Sequence, residues 1–209
     1  MTAAHLRRAV TPFVLATLAG LTVLAQSAQQ NAADAERLIK ALGLHAGSIV
    51  GEIGAGAGEL TVAIAKVVGD DGRVFSNDLN KDRLKTIAAA AQKAGLGNIT
   101  VVEGMEAATN LPDGCCDAIF MRDVYHHFRD PASMNASLLA SLKPGGRLAI
   151  IDFEPPPGAE SAAPEGRVAN GHHGVMPATI ERELKAAGFT IVSSDSLDSR
   201  LYLVVARRP

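Results

Sequence analysis

The chain contains no tryptophan, and aromatic residues make up 4% of its 209 positions. It therefore offers no evident platform of the kind that stacks single-stranded bases. Neither sign of charge dominates: 20 Lys and Arg stand against 22 Asp and Glu, for a net charge of −2. A dedicated nucleic-acid binder would show a basic patch, so a nucleic-acid partner is not expected. Cysteine is scarce. Cys115 and Cys116 are adjacent, just ahead of an expected strand. Neighbouring cysteines fit the geometry of an ordinary disulfide poorly, and at least one is expected to be buried as a small apolar side chain. Ligand spacings such as H-x-x-E-H and C-x-x-C are missing, so no metal site is expected.

What the chain does have is apolar content, 47% of its residues, enough for one domain with a full core. The N-terminus reads differently from the rest. His5, Arg7 and Arg8 form a positive stretch, and an apolar run over 9–25, broken by Pro12, ends in small residues at Ala25 and Ala28. That is the pattern of a secretory signal, or of an uncleaved membrane anchor of marginal length. The expected organisation is a signal or anchor over 1–28 and a single domain over 29–209, exported to the periplasm or held at the membrane. A start codon placed too far upstream would make the protein cytoplasmic instead. No membrane insertion is expected beyond that segment, and the oligomeric state is open.

Beyond it, apolar periodicity switches repeatedly between strand and helix. Strands are expected at 48–53, 73–78, 99–103, 117–121 and 147–152, with helices at 32–42, 59–68, 81–94 and 131–142 between or before them. Turn residues punctuate the pattern at 69–72 and 143–146. Strand–helix alternation at this spacing predicts a mostly parallel sheet with helices on both faces. Residues 154–174 are rich in Pro, Gly and Ala and read as a long loop, of the length that functional lids have. A helix at 177–187 follows, then strands at 189–193 and 201–206 joined by a polar turn.

The most informative stretch is Val50-Gly51-Glu52-Ile53-Gly54-Ala55-Gly56-Ala57-Gly58-Glu59-Leu60. It reads as a buried strand, a glycine turn and the start of a helix. A turn this poor in side chains lets a ligand lie on the backbone, and the helix aims free N–H groups at it. A dinucleotide fingerprint requires G-x-G-x-x-G, and Glu59 occupies its third glycine position. A carboxylate there would repel a pyrophosphate, so an NAD site is disfavoured. A nucleoside cofactor without phosphates suits the turn better.

This segment resembles motif I of the class I S-adenosylmethionine (SAM)-dependent methyltransferases, E/D-x-G-x-G-x-G after the first strand. The likeness extends over roughly 32–208 and is to the broad methyltransferase type 11 sort. It implies a Rossmann-like α/β fold: a seven-stranded, mostly parallel sheet with helices on both faces and a C-terminal antiparallel hairpin strand. It also implies S-adenosyl-L-methionine as cofactor. The cofactor residues it points to are Glu52, Gly54, Gly56 and Gly58 in the turn, Asp78 for the two ribose hydroxyls, and Met105 with Glu106 at the adenine. A carboxylate accepts two O–H donors at once, which suits Asp78 to a cis-diol. Relatives often carry Asp where this chain has Met105, so Met105 would pack on the ring and Glu106 would reach its amino group.

The resemblance also covers Met121 to Pro131, which follows the fourth strand and would face the transferable methyl. The segment resembles that of small-molecule methyltransferases and lacks the Asn-Pro-Pro-Tyr type of motif. Methyl transfer needs the nucleophile held in line with the sulfonium, so a base is optional. His126, Tyr125 and Asp123 are the candidate catalytic or pocket-lining residues, since an imidazole can take a proton near neutral pH. His127 is expected to brace a neighbouring loop. His172 and His173, in the long loop, are candidates to line the pocket when that loop closes. The expected activity is methyl transfer to a small-molecule or lipid-like acceptor. The alternatives are carboxyl methylation of the protein-isoaspartate type, suggested by 50–54 and 72–74, and a SAM-binding module without catalysis.

Overall fold

The computed structural model describes residues 13–160, 163–167 and 174–209, with side chains from Ser27 onward. The basic stretch at His5, Arg7 and Arg8 and the pair His172–His173 lie outside the described residues. Five helices and seven strands follow in order: α1 Phe13–Leu42, β1 Ile49–Ile53, α2 Glu59–Val68, β2 Arg73–Asp78, α3 Lys81–Ala94, β3 Ile99–Glu103, β4 Cys116–Arg122, α4 Pro131–Ser141, β5 Leu142–Phe153, α5 Pro177–Ala186, β6 Thr190–Ser196 and β7 Leu201–Arg207.

The strands form one sheet in the order β3-β2-β1-β4-β5-β7-β6. Pairings from β3 through β5 are parallel, and β7 runs antiparallel to both β5 and β6. The expected seven-stranded α/β architecture with its C-terminal antiparallel hairpin is therefore present. Its central strands read as continuous apolar runs because both faces are covered. In β4, Ile119 and Met121 join the core shared with α4 and α5, while Ala118 and Phe120 join the core under α1 and α2. Leu148 and Ile150 alternate with Ala149 and Ile151 in β5 in the same way, as the two-residue period of a strand requires.

Local chemistry sets the helix ends. The Asn80 side chain accepts from the backbone N–H groups of Asp82 and Arg83 and starts α3, and Gly95 ends it at φ 67°. Asp130 accepts from the Ser133 N–H at 3.0 Å and, with Pro131 in the first turn, starts α4. These are the cap and stop residues that helix termini favour.

Four features depart from expectation. The first helix is far longer than 32–42, beginning at Phe13. The part of the apolar run from Phe13 onward and the core-packing turn that holds Leu38 and Leu42 are thus parts of one continuous helix, and both expected cleavage points fall inside it. Among the described residues no helix is long and apolar enough to cross a membrane. The exported or membrane-anchored placement read from 1–28 is corrected on those grounds. Strand β5 starts at Leu142, so the bend at Gly145 (φ 78°) lies within it, opposite a register shift between Cys116 and Ala118. Cys115 and Cys116 are joined to each other, with Cys116 fully buried, where no disulfide was expected. The long loop after β5 carries a 3-10 turn at Pro164–Arg167 whose Arg167 side chain is buried.

Candidate active site

The chain reverses its direction of travel across the sheet between β1 and β4, and ligands in open α/β sheets bind at the strand carboxyl ends beside such a switch point. A cavity of about 800 Å³ opens there. Its floor is the turn between β1 and α2. Gly54 has φ 70°, and a Cβ there would lie 2.5 Å from Val124 Cγ2. Gly56 has φ 61° with nothing within 4 Å of its would-be Cβ, so its backbone faces open space. The turn is pinned to β2: the Ala55 N–H donates to the Asn77 carbonyl at 2.8 Å, and the Gly56 N–H to Asp78 Oδ2 at 3.0 Å.

Asp78 closes the far side of this turn. Its Oδ1 accepts from the Asn80 N–H at 2.8 Å, and Arg83 lies 3.6 Å from Oδ2. Each carboxylate oxygen has two lone pairs, so each can still accept one ribose hydroxyl. Glu52 lines the cavity but is turned inward. It accepts from the Thr61 hydroxyl, which in turn lies 2.8 Å from the Ser76 hydroxyl. Burial pushes its carboxyl up to about 8, against the opposing pull of the Thr61 hydroxyl and the Arg122 guanidinium. Met105 is 56% exposed and lines the cavity with Glu106 and Leu79. Gly58 is the one expected cofactor residue outside the lining; it starts α2 at φ 85°, packed on Ile87. An open backbone at Gly56, a diol-sized carboxylate at Asp78 and the N-terminus of α2 fit the cofactor that the resemblance implies.

The other end of the cavity is built from the last residue of β4, the segment that follows it and the start of α4. Arg122, Asp123, Val124, His127, Phe128, Arg129 and Met134 line it. Asp123 holds φ 56° and donates its N–H to the Ile151 carbonyl at 2.9 Å. Although the residue is exposed overall, desolvation and the Asp152 carboxylate raise its carboxyl above the usual range. A 3-10 turn at Tyr125–His127 then decides which ring faces where. His127 is exposed and lines the cavity. His126 is 2% exposed; its Nδ1 lies 2.8 Å from Asp152 Oδ1, and its N–H donates to Oδ2 at 3.2 Å. The two imidazoles touch, with ring centres 4.0 Å apart.

The structure thus brings Asp123 into the cavity but not Tyr125 or His126, which line no part of it. Tyr125 is fully buried; its hydroxyl donates to Glu183 Oε2 at 3.0 Å and accepts from Asn135 Nδ2 at 2.7 Å. Burial, and then the Glu183 carboxylate, drive its phenol well above the ordinary tyrosine range. Glu183 also pairs with Arg167. Sequence reasoning missed this network, the Asp152 clamp, and the bond of Arg122 to Asn31 and Asp34 on α1 at 2.6 and 3.1 Å. It gave the catalytic role to His126 rather than to His127, which lines the cavity, because adjacent residues on a tight turn cannot be assigned to faces without its dihedrals.

Comparison with known proteins agrees with this geometry. A methyltransferase domain model matches residues 51–150. The ubiquinone/menaquinone biosynthesis C-methyltransferase UbiE of Marinomonas sp. (strain MWYL1) is 34% identical over 115 residues, 54% of this chain and 46% of that protein. The chain spans about half the length of the curated relatives it matches. A SAM-dependent methyltransferase from Aquifex aeolicus superposes with a TM-score of 0.72 at 27% identity, covering 84% of this chain and 90% of that one. A geranyl diphosphate C-methyltransferase from Streptomyces coelicolor A3(2) shares the fold, with a TM-score of 0.75 at 14% identity over 90% of this chain and 84% of its own. The matched domain, the glycine turn facing Asp78 and the seven-stranded sheet agree, and residues 51–150 form a methyltransferase domain of the class I SAM-dependent kind.

Proposed function

We propose that the protein transfers the methyl group of SAM to a small acceptor with an apolar body. The carrying observation is the single cavity that runs from the glycine turn and Asp78 to the wall made by Val124, Phe128 and Met134. SAM supplies an electrophilic methyl on a sulfonium. Asp78 holds the ribose hydroxyls, the turn at Gly54 and Gly56 lets the cofactor lie against the backbone, and Met105 with Leu79 packs beside the base. Phe128 and Met134 exclude water and orient the acceptor, which is the positioning that in-line transfer needs. His127 takes a proton from the acceptor, because among the described residues it is the histidine that lines the cavity. His126, held by Asp152, is a positioning residue beneath it.

The test is calorimetric titration with SAM, S-adenosylhomocysteine (SAH) and NAD, in the natural protein and Asp78→Ala. SAM and SAH should bind, NAD should not, and the variant should lose about 2 kcal/mol or more, the scale of charge-assisted hydrogen bonds. SAH formation is then followed with a panel of acceptors that includes a demethylated quinol, since relatives of the matched domain act in quinone biosynthesis. SAM binding without SAH formation from any acceptor would leave a binding module and refute transfer.

A further inference from the structure

The charges of the cavity are unevenly spread. Glu52, Glu59, Asp78 and Glu106 line it from the ends of the first three strands and the start of α2, with Arg83 of α3 the cation among them, 3.6 Å from Asp78. Arg122, His127 and Arg129 line it from the last residue of β4 and the segment that follows. The acidic end suits a cofactor that carries an ammonium and a sulfonium. The basic end then faces whatever is methylated.

The groups of that basic end are not equally engaged. Arg122 is committed to Asn31 and Asp34. Arg129 is exposed, and among the described residues it forms no ion pair. Asp130, its neighbour in sequence, gives Oδ1 to the Ser133 N–H at the start of α4. Asp123 is the carboxylate this segment adds to the lining, and desolvation together with Asp152 shifts it toward its neutral form. The same end of the cavity holds the apolar side chains of Val124, Phe128 and Met134, the last two almost fully buried. A guanidinium presents a planar fork that matches the oxygens of a carboxylate or phosphate.

We propose that the acceptor is anionic, with a carboxylate or phosphate bound by Arg129 beside His127 and an apolar body seated against Phe128 and Met134. This rests on the cofactor reading above, and the experiment separates the two. SAH is titrated first. The SAH-loaded protein is then titrated with 4-butylbenzoate, 4-butylphenyl phosphate and uncharged 4-butylbenzyl alcohol. At least one anion should bind about tenfold tighter than the alcohol, and Arg129→Gln should erase that preference. Arg129→Lys should retain part of it, and Arg182→Gln, which removes an equal charge from the exposed face of α5, should retain all of it. Preference for the benzoate assigns a carboxylate acceptor, and preference for the phosphate a phosphorylated one. Equal affinities, no binding of any probe, or a preference that survives Arg129→Gln would overturn the proposal while leaving the cofactor assignment intact. Failure to bind SAH would overturn both.

Discussion

Replacing Glu52 with glutamine should make the protein more stable, and increasingly so as the pH rises. Burial lifts the Glu52 carboxyl from 4.5 to about 8 in the folded chain. The folded state therefore holds a proton that the unfolded chain releases. A group raised in this way contributes stability that is present in full below the unfolded value. That contribution is lost progressively as the pH climbs towards the folded value. In the window between, its slope is about −1.4 kcal/mol per pH unit. Glutamine keeps the shape, can still accept from Thr61, and has no proton to lose. Unfolding in urea at about pH 5.5 and about pH 7.5 measures the difference. The gap in stability between variant and natural protein should widen by roughly 3 kcal/mol over that interval, less whatever water or relaxation admits. All other titrating groups are common to both proteins and cancel. Parallel curves would show that Glu52 is already ionised when folded and would refute the reasoning.

Three further outcomes follow from the same geometry. Gly54→Ala should lower stability by about 1–3 kcal/mol in urea, because its Cβ would meet Val124 Cγ2 at 2.5 Å with the backbone at φ 70°. Tyr125→Phe should cost about 1–3 kcal/mol of stability by leaving the buried Asn135 amide without its acceptor and removing one bond to Glu183, which keeps Arg167, while SAH affinity measured by calorimetry stays within about threefold. Asp34→Asn should weaken the hold of α1 on Arg122, seen as faster amide exchange in residues 31–42 than in α3.

Legibility followed distance along the chain. Strand β2 at Arg73–Asp78 and helix α3 at Lys81–Ala94 have the bounds their residue patterns imply, since Asn80 and Gly95 mark the helix ends within the segment itself. The glycine turn and Asp78 were readable for a similar reason: each sits at a strand end that its own pattern defines. The acceptor end was not. Which histidine faces the cavity depends on one 3-10 turn, and Tyr125 is buried because Glu183, 58 positions away, accepts its hydroxyl. Nothing near Tyr125 announces that partner. The N-terminal segment was hard to read because an apolar run carries the same signal whether it enters a membrane or continues into a longer helix, as it does from Phe13 to Leu42.

The bond between Tyr125 and Glu183 also bears on how each molecule is made. A ribosome releases the turn at Gly54, the carboxylate of Asp78 and the strands that hold them long before it releases α5. Domains begin to organise from the N-terminus during synthesis, at about 5–20 residues per second. The nucleoside end of the cavity can therefore take shape on a nascent chain whose acceptor wall is still unsupported, awaiting a glutamate not yet translated. A pause in translation between β5 and α5 would leave a molecule able to hold cofactor before it can select what to modify.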